Sequence, residues 1–425
     1  MIRSVVFSFI VRFASAVLNF LVIVLLSNVL GSEGKGICSR YITIIANALI
    51  FCDFIGGPPL VFMAAKYRVS NILLPSYLWS ALTSLITIYV FYLLGQFPEN
   101  ELPVMMILSF LNSCIAIHQN ILSGKMKFLQ LNIVILIQSL VLFLTLKYFF
   151  RISGEVFELA PAPVHYLMAL GVSYGAGSLI GFLFIVFLEK TGERVRLISF
   201  LSEAFRYGFV NILGHALQFI NQRLSYFFLQ PQSLGVFSNA SSIGESLWLI
   251  PNSIATVQYG KVSNMPDKKA AEQVSLFFLK LNLLLCFFAV IIMLLLPDSF
   301  FIWLFGKEFS GISHLLLLLA PGLFFYGGYL ILGHHFSGRG KFMLNLKSIA
   351  AGLTVTILGF ACLLIFKKSF TMEEAALLTT VSYSGNFIFA FAVFFRETGI
   401  SPRALVFTKA DLRFLFNDFF GRTKK

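Results

Sequence analysis

A chain of 425 residues with 58% hydrophobic and only 12% charged residues cannot clothe a soluble core, since soluble domains carry about 25% charge. A mean hydropathy of +0.86 places it in lipid as an all-α polytopic membrane protein, helices being one of the few structures that satisfy their own backbone there. The +13 net charge reads as basic loops facing an anionic leaflet, so no nucleic-acid partner is expected.

Apolar runs of about 20 residues, the length a bilayer imposes, recur along the chain. Span 1, about 4–30, is too long for a signal peptide and no small-residue cleavage site follows it. It carries Arg12, Ser15 and Asn19. Span 2, about 37–63, carries Asp53 and the run Gly56, Gly57, Pro58, Pro59, a bend point. Spans 3 to 6 cover about 103–122 and its neighbours 72–95, 128–150 and 164–188. Span 7, about 207–229, contains QFINQRLSYFF, Gln218 to Phe228. Its Arg223 raises a question, because a charge inside a bilayer helix costs about 2.5–3.5 kcal/mol. Span 8, about 234–260, holds Glu245 and a second bend point at Pro251. Spans 9 to 12 follow at about 275–296, 312–336, 345–366 and 373–395. From Thr408 the sequence TKADLRFLFNDFFGRTKK has the capping and apolar face of a helix lying in the membrane interface.

With the N-terminus inside, 23 of the 32 Lys and Arg residues fall on the cytoplasmic side and 7 on the outer side, Lys35 and Arg40 among the latter. That bias puts both termini in the cytoplasm. Five scattered cysteines, with no CxxC and no metal spacing, read as inert buried thiols. No metal and no cofactor is expected. His334 and His335 have no partner recognisable in sequence.

Two internal matches reveal a repeat. SGKMKF after span 4 (Ser123 to Phe128) returns as SGRGKF after span 10 (Ser337 to Phe342). Shifted by 203 residues, Ser8, Arg12, Ser15 and Asn19 fall on Asn211, His215, Gln218 and Gln222, a 4, 3, 4 spacing that shares one helix face. Spans 2 and 8 agree at a shift of 199: Ser39, Thr43, Asn47 and Asp53 fall on Ser238, Ser242, Ser246 and Asn252. Six spans per repeat is even, which predicts two six-helix bundles related by a pseudo-two-fold along the membrane normal. The expected organisation is a bundle over 1–190, a cytoplasmic linker over 191–206, a bundle over 207–396 and a cytoplasmic amphipathic tail over 397–425. Polar stripes on spans 1, 2, 7 and 8 must face another helix or a water-filled cavity.

This pattern resembles the multidrug/oligosaccharidyl-lipid/polysaccharide (MOP) exporter superfamily. The resemblance rests on spans 1, 2, 7 and 8 lining the centre and on the glycine-bearing turns LGSEGKG from Leu30 and SLGVFSNA from Ser233. Ile220 to Ile254 is similar to the corresponding region of the polysaccharide and O-antigen (Wzx-like) flippases, although many relatives carry an acid where this chain has Ser225. The resemblance implies a non-enzymatic flippase that moves an undecaprenyl-diphosphate-linked oligosaccharide across a bacterial cytoplasmic membrane by alternating access. The implied partners are that anionic lipid-linked glycan, membrane lipids, and a proton or sodium counter-ion, with the protein a monomer. A diphosphate suits arginine's planar fork of donors. The expected cavity residues are accordingly Arg12, Ser15, Asn19, His215, Gln218, Gln222 and Arg223, with Asp53 and Glu245 as the acids available for ion coupling. Three alternatives stand beside this reading: a MATE-type cation or drug antiporter, a lipid II flippase (which typically has two further helices), and a membrane glycan polymerase or ligase. The last would need catalytic groups on a long outer loop, and none converge there.

Overall fold

A computed structural model describes residues 2–155, 161–188, 193–263, 265–366 and 370–406. The tail helix expected from Thr408 lies outside them. Among the described residues the chain forms α-helices joined by short 3-10 turns, and no strand.

All twelve spans are found. α1 (Ile2–Gly56) holds spans 1 and 2 as two arms bent at Gly31, and α2 (Pro58–Lys66) completes span 2. α3 (Val69–Leu93), α4 (Leu102–Gly124), α5 (Phe128–Glu155) and α6 (Pro163–Val186) are spans 3 to 6, and α7 (Leu197–Arg223) is span 7. Span 8 is broken into α8 (Pro231–Ser246) and α9 (Leu249–Ser263). α10 (Lys268–Leu294), a short α11 (Asp298–Phe305), α12 (Ile312–Gly338), α13 (Phe342–Phe366) and α14 (Met372–Thr398) complete the chain. Nine helices among the described residues are long and apolar enough to cross a membrane, one of them holding both arms of α1. Span 7 is too polar to join that set and span 8 too interrupted. The chain is a multi-pass membrane protein.

The breaks follow from proline and glycine. Pro58 and Pro59 have no amide to offer the carbonyls of Phe54 and Ile55, so span 2 breaks at Gly57. Pro251 likewise frees the Leu247 carbonyl, which accepts from the Ile250 amide instead, and α8 ends five residues before the proline. At Gly31 the backbone has φ 66° and ψ −172°, a conformation glycine reaches without strain.

Two expectations need correction. Span 7 runs from Leu197 to Arg223, not 207–229, and a 3-10 turn, Leu224–Phe227, follows it. That turn is apolar, so hydropathy runs straight through it. Lys35 is not a loop residue: the connection after span 1 is the single kink at Gly31, and Lys35, like Arg40, lies within the second arm of α1. The connection between spans 9 and 10 contains α11, which its eight-residue length hid from any search for spanning segments.

Packing gathers Met1–Asn239 with Ser299–Ser310 into one unit, and Ala240–Asp298 with Gly311–Lys425 into another. In the first, the Tyr77 hydroxyl and His118 Nε2 share a short hydrogen bond between α3 and α4. In the second, α12 is the central helix, packed by α9, α10 and α14. Trp248, Tyr326 and Tyr383 form an aromatic core there, with ring centroids 4.4–5.7 Å apart. His335 Nδ1 lies 2.7 Å from Ser275 Oγ, the partner that sequence did not supply. Cys38, Cys52, Cys114 and Cys286 are buried free thiols, while Cys362 is exposed.

The repeated SG[KR]xKF motif is a helix C-cap. After α4, the Lys127 amide donates to the Leu122 carbonyl at 2.8 Å; after α12, the Lys341 amide donates to Phe336 at 2.7 Å. Both are six-to-one bonds that close a helix over a left-handed residue. That residue is Met126 (φ 56°) in one copy and Gly340 (φ 71°) in the other.

Candidate functional site

The second arm of α1 and the start of α8, both in the first unit, cross so closely that only glycine fits. A methyl group on Gly36 would overlap the Pro231 carbonyl, and one on Gly235 would overlap the Ser32 carbonyl. Ser32 and Pro231 are 199 residues apart, as are Gly36 and Gly235. The contact is therefore reciprocal, the signature of a two-fold relation. Ser39 and Ser238, another pair at that shift, donate one to the other at 2.9 Å. Arg40 donates to the Leu229 carbonyl beyond α7 at 2.7 Å, and its counterpart Asn239 donates to Ser27 Oγ near the end of the first arm at 2.8 Å. Each helix thus ties itself to the segment that precedes the other.

The crossing breaks this symmetry at one place. Lys35 is 5% exposed and donates to Ser39 Oγ at 2.6 Å and Ser238 Oγ at 3.2 Å. Its counterpart at the 199 shift is Leu234, which is fully buried. Among the described residues Lys35 makes no ion pair; its hydrogen-bond partners are the two serine hydroxyls.

Arg223 closes α7. Its guanidinium donates to the Tyr226 hydroxyl at 3.4 Å and lies 5.0 Å from that ring's centre, a cation–π arrangement. The position at a helix C-terminus also suits a positive charge. Arg223 is on the wall of a cavity of about 700 Å³ within the first unit, inside the size range of ligand pockets. The second arm of α1 contributes Asn47 and Phe51, α3 contributes Trp79, Thr83, Ile86, Thr87, Val90 and Phe91, and Leu94 and Gln96 follow. Ile220, Leu224, Phe227 and Phe228 complete the lining. Phe51, Ile86, Val90, Leu94 and Phe228 are exposed, so much of the apolar lining is accessible rather than sealed in a core. A long apolar chain with an anionic end matches these walls; a cationic ligand would meet Arg223.

The residues expected to share one cavity are spread differently. On span 1, Arg12 and Asn19 are exposed and Ser15 is buried. On span 7, His215 is exposed, Gln218 buried, and Gln222 half-buried. The cavity that Arg223 lines includes none of them. On span 2 the stripe is spent locally: Thr43 donates to the Ser39 carbonyl and Asn47 to the Thr43 carbonyl. Asp53 is half-buried four residues before the break at Gly57, and Glu245 half-buried at the end of α8. No group of three metal-ligating side chains occurs among the described residues.

Sequence reasoning missed Lys35, Arg40 and Glu308. Glu308 Oε2 accepts from both the amide and the hydroxyl of Ser32, at 2.8 and 2.9 Å, and so caps the second arm of α1. The segment bearing it is held by Asn28, which donates to the Leu304 carbonyl at 2.8 Å, and by the Phe20–Phe305 edge contact. The 199 shift, extended to every residue of the turn, pairs the two glycines and isolates Lys35; nothing local marks Glu308, 276 residues away in sequence.

No protein-family model matches the chain, and no curated protein matches it in sequence. Solved structures do match its fold. An inward-facing multidrug resistance MATE family transporter of the MOP superfamily aligns with TM-score 0.66 and 13% identity, over 91% of this chain and 94% of that one. The lipid II flippase MurJ in an inward closed conformation aligns with TM-score 0.63 and 16% identity, over 98% and 96%. An outward-facing MATE family transporter gives 0.61 and 15%, over 93% and 95%. The chain has the twelve-helix, two-lobe fold of these transporters and flippases.

Proposed function

We propose that the chain is a flippase for a lipid-linked anionic glycan, of the polysaccharide and O-antigen type. It carries an undecaprenyl-diphosphate-linked oligosaccharide across the bacterial cytoplasmic membrane by alternating access, with both termini cytoplasmic and the protein a monomer of two six-helix bundles. One observation carries the reading: an apolar cavity has Arg223 on its wall, and Lys35 is buried in the same unit. Chain, cation and hydroxyl-rich helices match tail, diphosphate and sugars. Arg12 captures the headgroup nearer the cytoplasm, and Asn19, Ser15, His215, Gln218 and Gln222 offer polar partners along spans 1 and 7. The same cations argue against a drug or cation antiporter, which needs acids where this site has bases. A lipid II flippase shares the chain-plus-diphosphate chemistry and is the second reading.

The test is accumulation of lipid-linked glycan on the cytoplasmic side in a deletion strain, complemented with variants. Arg223→Ala is expected to restore little export and Arg223→Lys only part of it, since lysine cannot grip a diphosphate through two parallel bonds. Normal export by both would reduce Arg223 to an anchor, and normal export by Arg12→Ala would remove the cationic-cavity mechanism. Glu245→Gln with unchanged transport and pH dependence would remove that acid from any coupling.

A further inference from the structure

Lys35 presents a problem of charge. Its ammonium has three hydrogens, is 5% exposed, and meets two serine hydroxyls and no carboxylate among the described residues. A cation held inside a membrane protein is kept only where something repays it. The packing here leaves no room for an anion, because Gly36 and Gly235 bring the two backbones into direct contact one turn from Ser39 and Ser238. The charge is also not required by the crossing itself, since Leu234 fills the equivalent position and is fully buried. The missing partner must therefore be one that arrives only when α8 draws away from the second arm of α1.

We propose that Lys35 is the specificity-determining residue for the outward step: a receptor for the substrate's diphosphate that is uncovered when this crossing opens. Closed, its ammonium is satisfied by Ser39 and Ser238. Open, Ser238 is withdrawn and the ammonium is left short of a donor's partner in a poorly hydrated place. An anionic headgroup supplies what Ser238 gave up, so it favours the open crossing; a neutral lipid does not. A ligand shifts such an equilibrium only by its difference in affinity for the two states, and Lys35 is where that difference arises. This inference rests on the flippase reading and adds to it the group that selects an anion.

The full-length protein in nanodiscs tests it, in a Cys38→Ala, Cys362→Ala background with Thr43→Cys as reporter, a buried position one turn beyond Ser39 whose own hydrogen bond stays within its helix. A charged, membrane-impermeant maleimide reads the opening of the crossing, with farnesyl diphosphate as anionic probe and farnesol as neutral control. Farnesyl diphosphate is expected to speed labelling at least tenfold and farnesol to leave it unchanged. Lys35→Met should abolish the response and Lys35→Arg should keep it. Lys35→Met should also melt no lower than the parent, because replacing a buried charge with an apolar chain of similar volume is commonly neutral or stabilising; that separates a lost receptor from a lost fold. The proposal is overturned if the diphosphate does not speed labelling in the parent, if farnesol acts equally, or if Lys35→Met responds as the parent does. Export in the deletion strain separates the two claims. Export that never depended on the protein sinks the flippase reading; export that needs the protein but survives Lys35→Met at full rate sinks only the role of Lys35.

Discussion

Ser32 opens the second arm of α1 and Pro231 opens α8, and the 199 residues between them are the shift that matches the two spans. Ser32 has an amide that a helix start leaves without a partner; the carboxylate of Glu308 accepts from it and from the hydroxyl. Pro231 has no amide, and its fixed φ already suits the first helical position. One turn is therefore finished by a distant side chain and the other by its own ring. Beyond these first residues the two helices return to common chemistry at Gly36 and Gly235, and then at Ser39 and Ser238. Close approach fixes the residue type on both sides of a two-fold contact, whereas a cap can be supplied by any group that reaches it.

The largest expected effect tests the shared part. Gly36→Ala and Gly235→Ala should each destabilise the protein by about 3 kcal/mol or more, the upper end for overpacking, because a backbone carbonyl cannot move aside as a side chain can. Thermal melting in detergent is the measurement. Similar losses are expected at both sites. If Gly235→Ala melts with the parent while Gly36→Ala collapses, the contact is not reciprocal, and the two-fold relation fails where it is best defined.

A smaller effect tests the difference. Glu308→Ala should cost about 1–2 kcal/mol, the scale of a lost helix cap. Ser32→Pro copies the solution used by α8, and Gly31, with ψ −172°, already lies outside the α region that a following proline disfavours. In that background Glu308→Ala should cost less than about 0.5 kcal/mol, a coupling that a double-mutant cycle isolates. An equal cost in both backgrounds would mean that Glu308 stabilises something other than the start of this helix.

The spans were legible because hydrophobic length is a bilayer's first demand, and the breaks were legible because proline and glycine announce themselves. The serine pair was legible too: Ser39 and Ser238, matched by a shift in sequence, proved to touch. What escaped was whatever depended on depth or on distance along the chain. Lys35 reads as a loop cation until the loop shrinks to Gly31. The end of α7 at Arg223 is hidden because an apolar 3-10 turn has the hydropathy of a helix. Glu308 lies in the connection between spans 9 and 10, and no periodicity links it to Ser32. For the candidate site the outcome divides in the same way. Arg223 stood out as a charge in an apolar span, while the cavity it lines is built by α3, whose contribution no motif signals.

The smallest effect concerns a second pair of equivalent turns, the caps of α4 and α12. Both close with the same six-to-one hydrogen bond, and both demand a left-handed residue two places after the helix's last glycine. Gly340 reaches that conformation freely; Met126 adopts it with a side chain that crowds the following carbonyl, at a cost of roughly 1–2 kcal/mol. Met126 is 73% exposed, so its replacement gives up little packing. Met126→Gly should therefore raise stability, by about 1 kcal/mol once glycine's greater freedom in the unfolded chain is subtracted. Gly340→Met should lower it by a similar amount, and the double exchange should be nearly neutral. Melting curves of the three variants decide the matter. If Met126→Gly is destabilising, Met126 makes a contact worth more than its strain, and the two caps are alike in hydrogen bonding but not in what holds them.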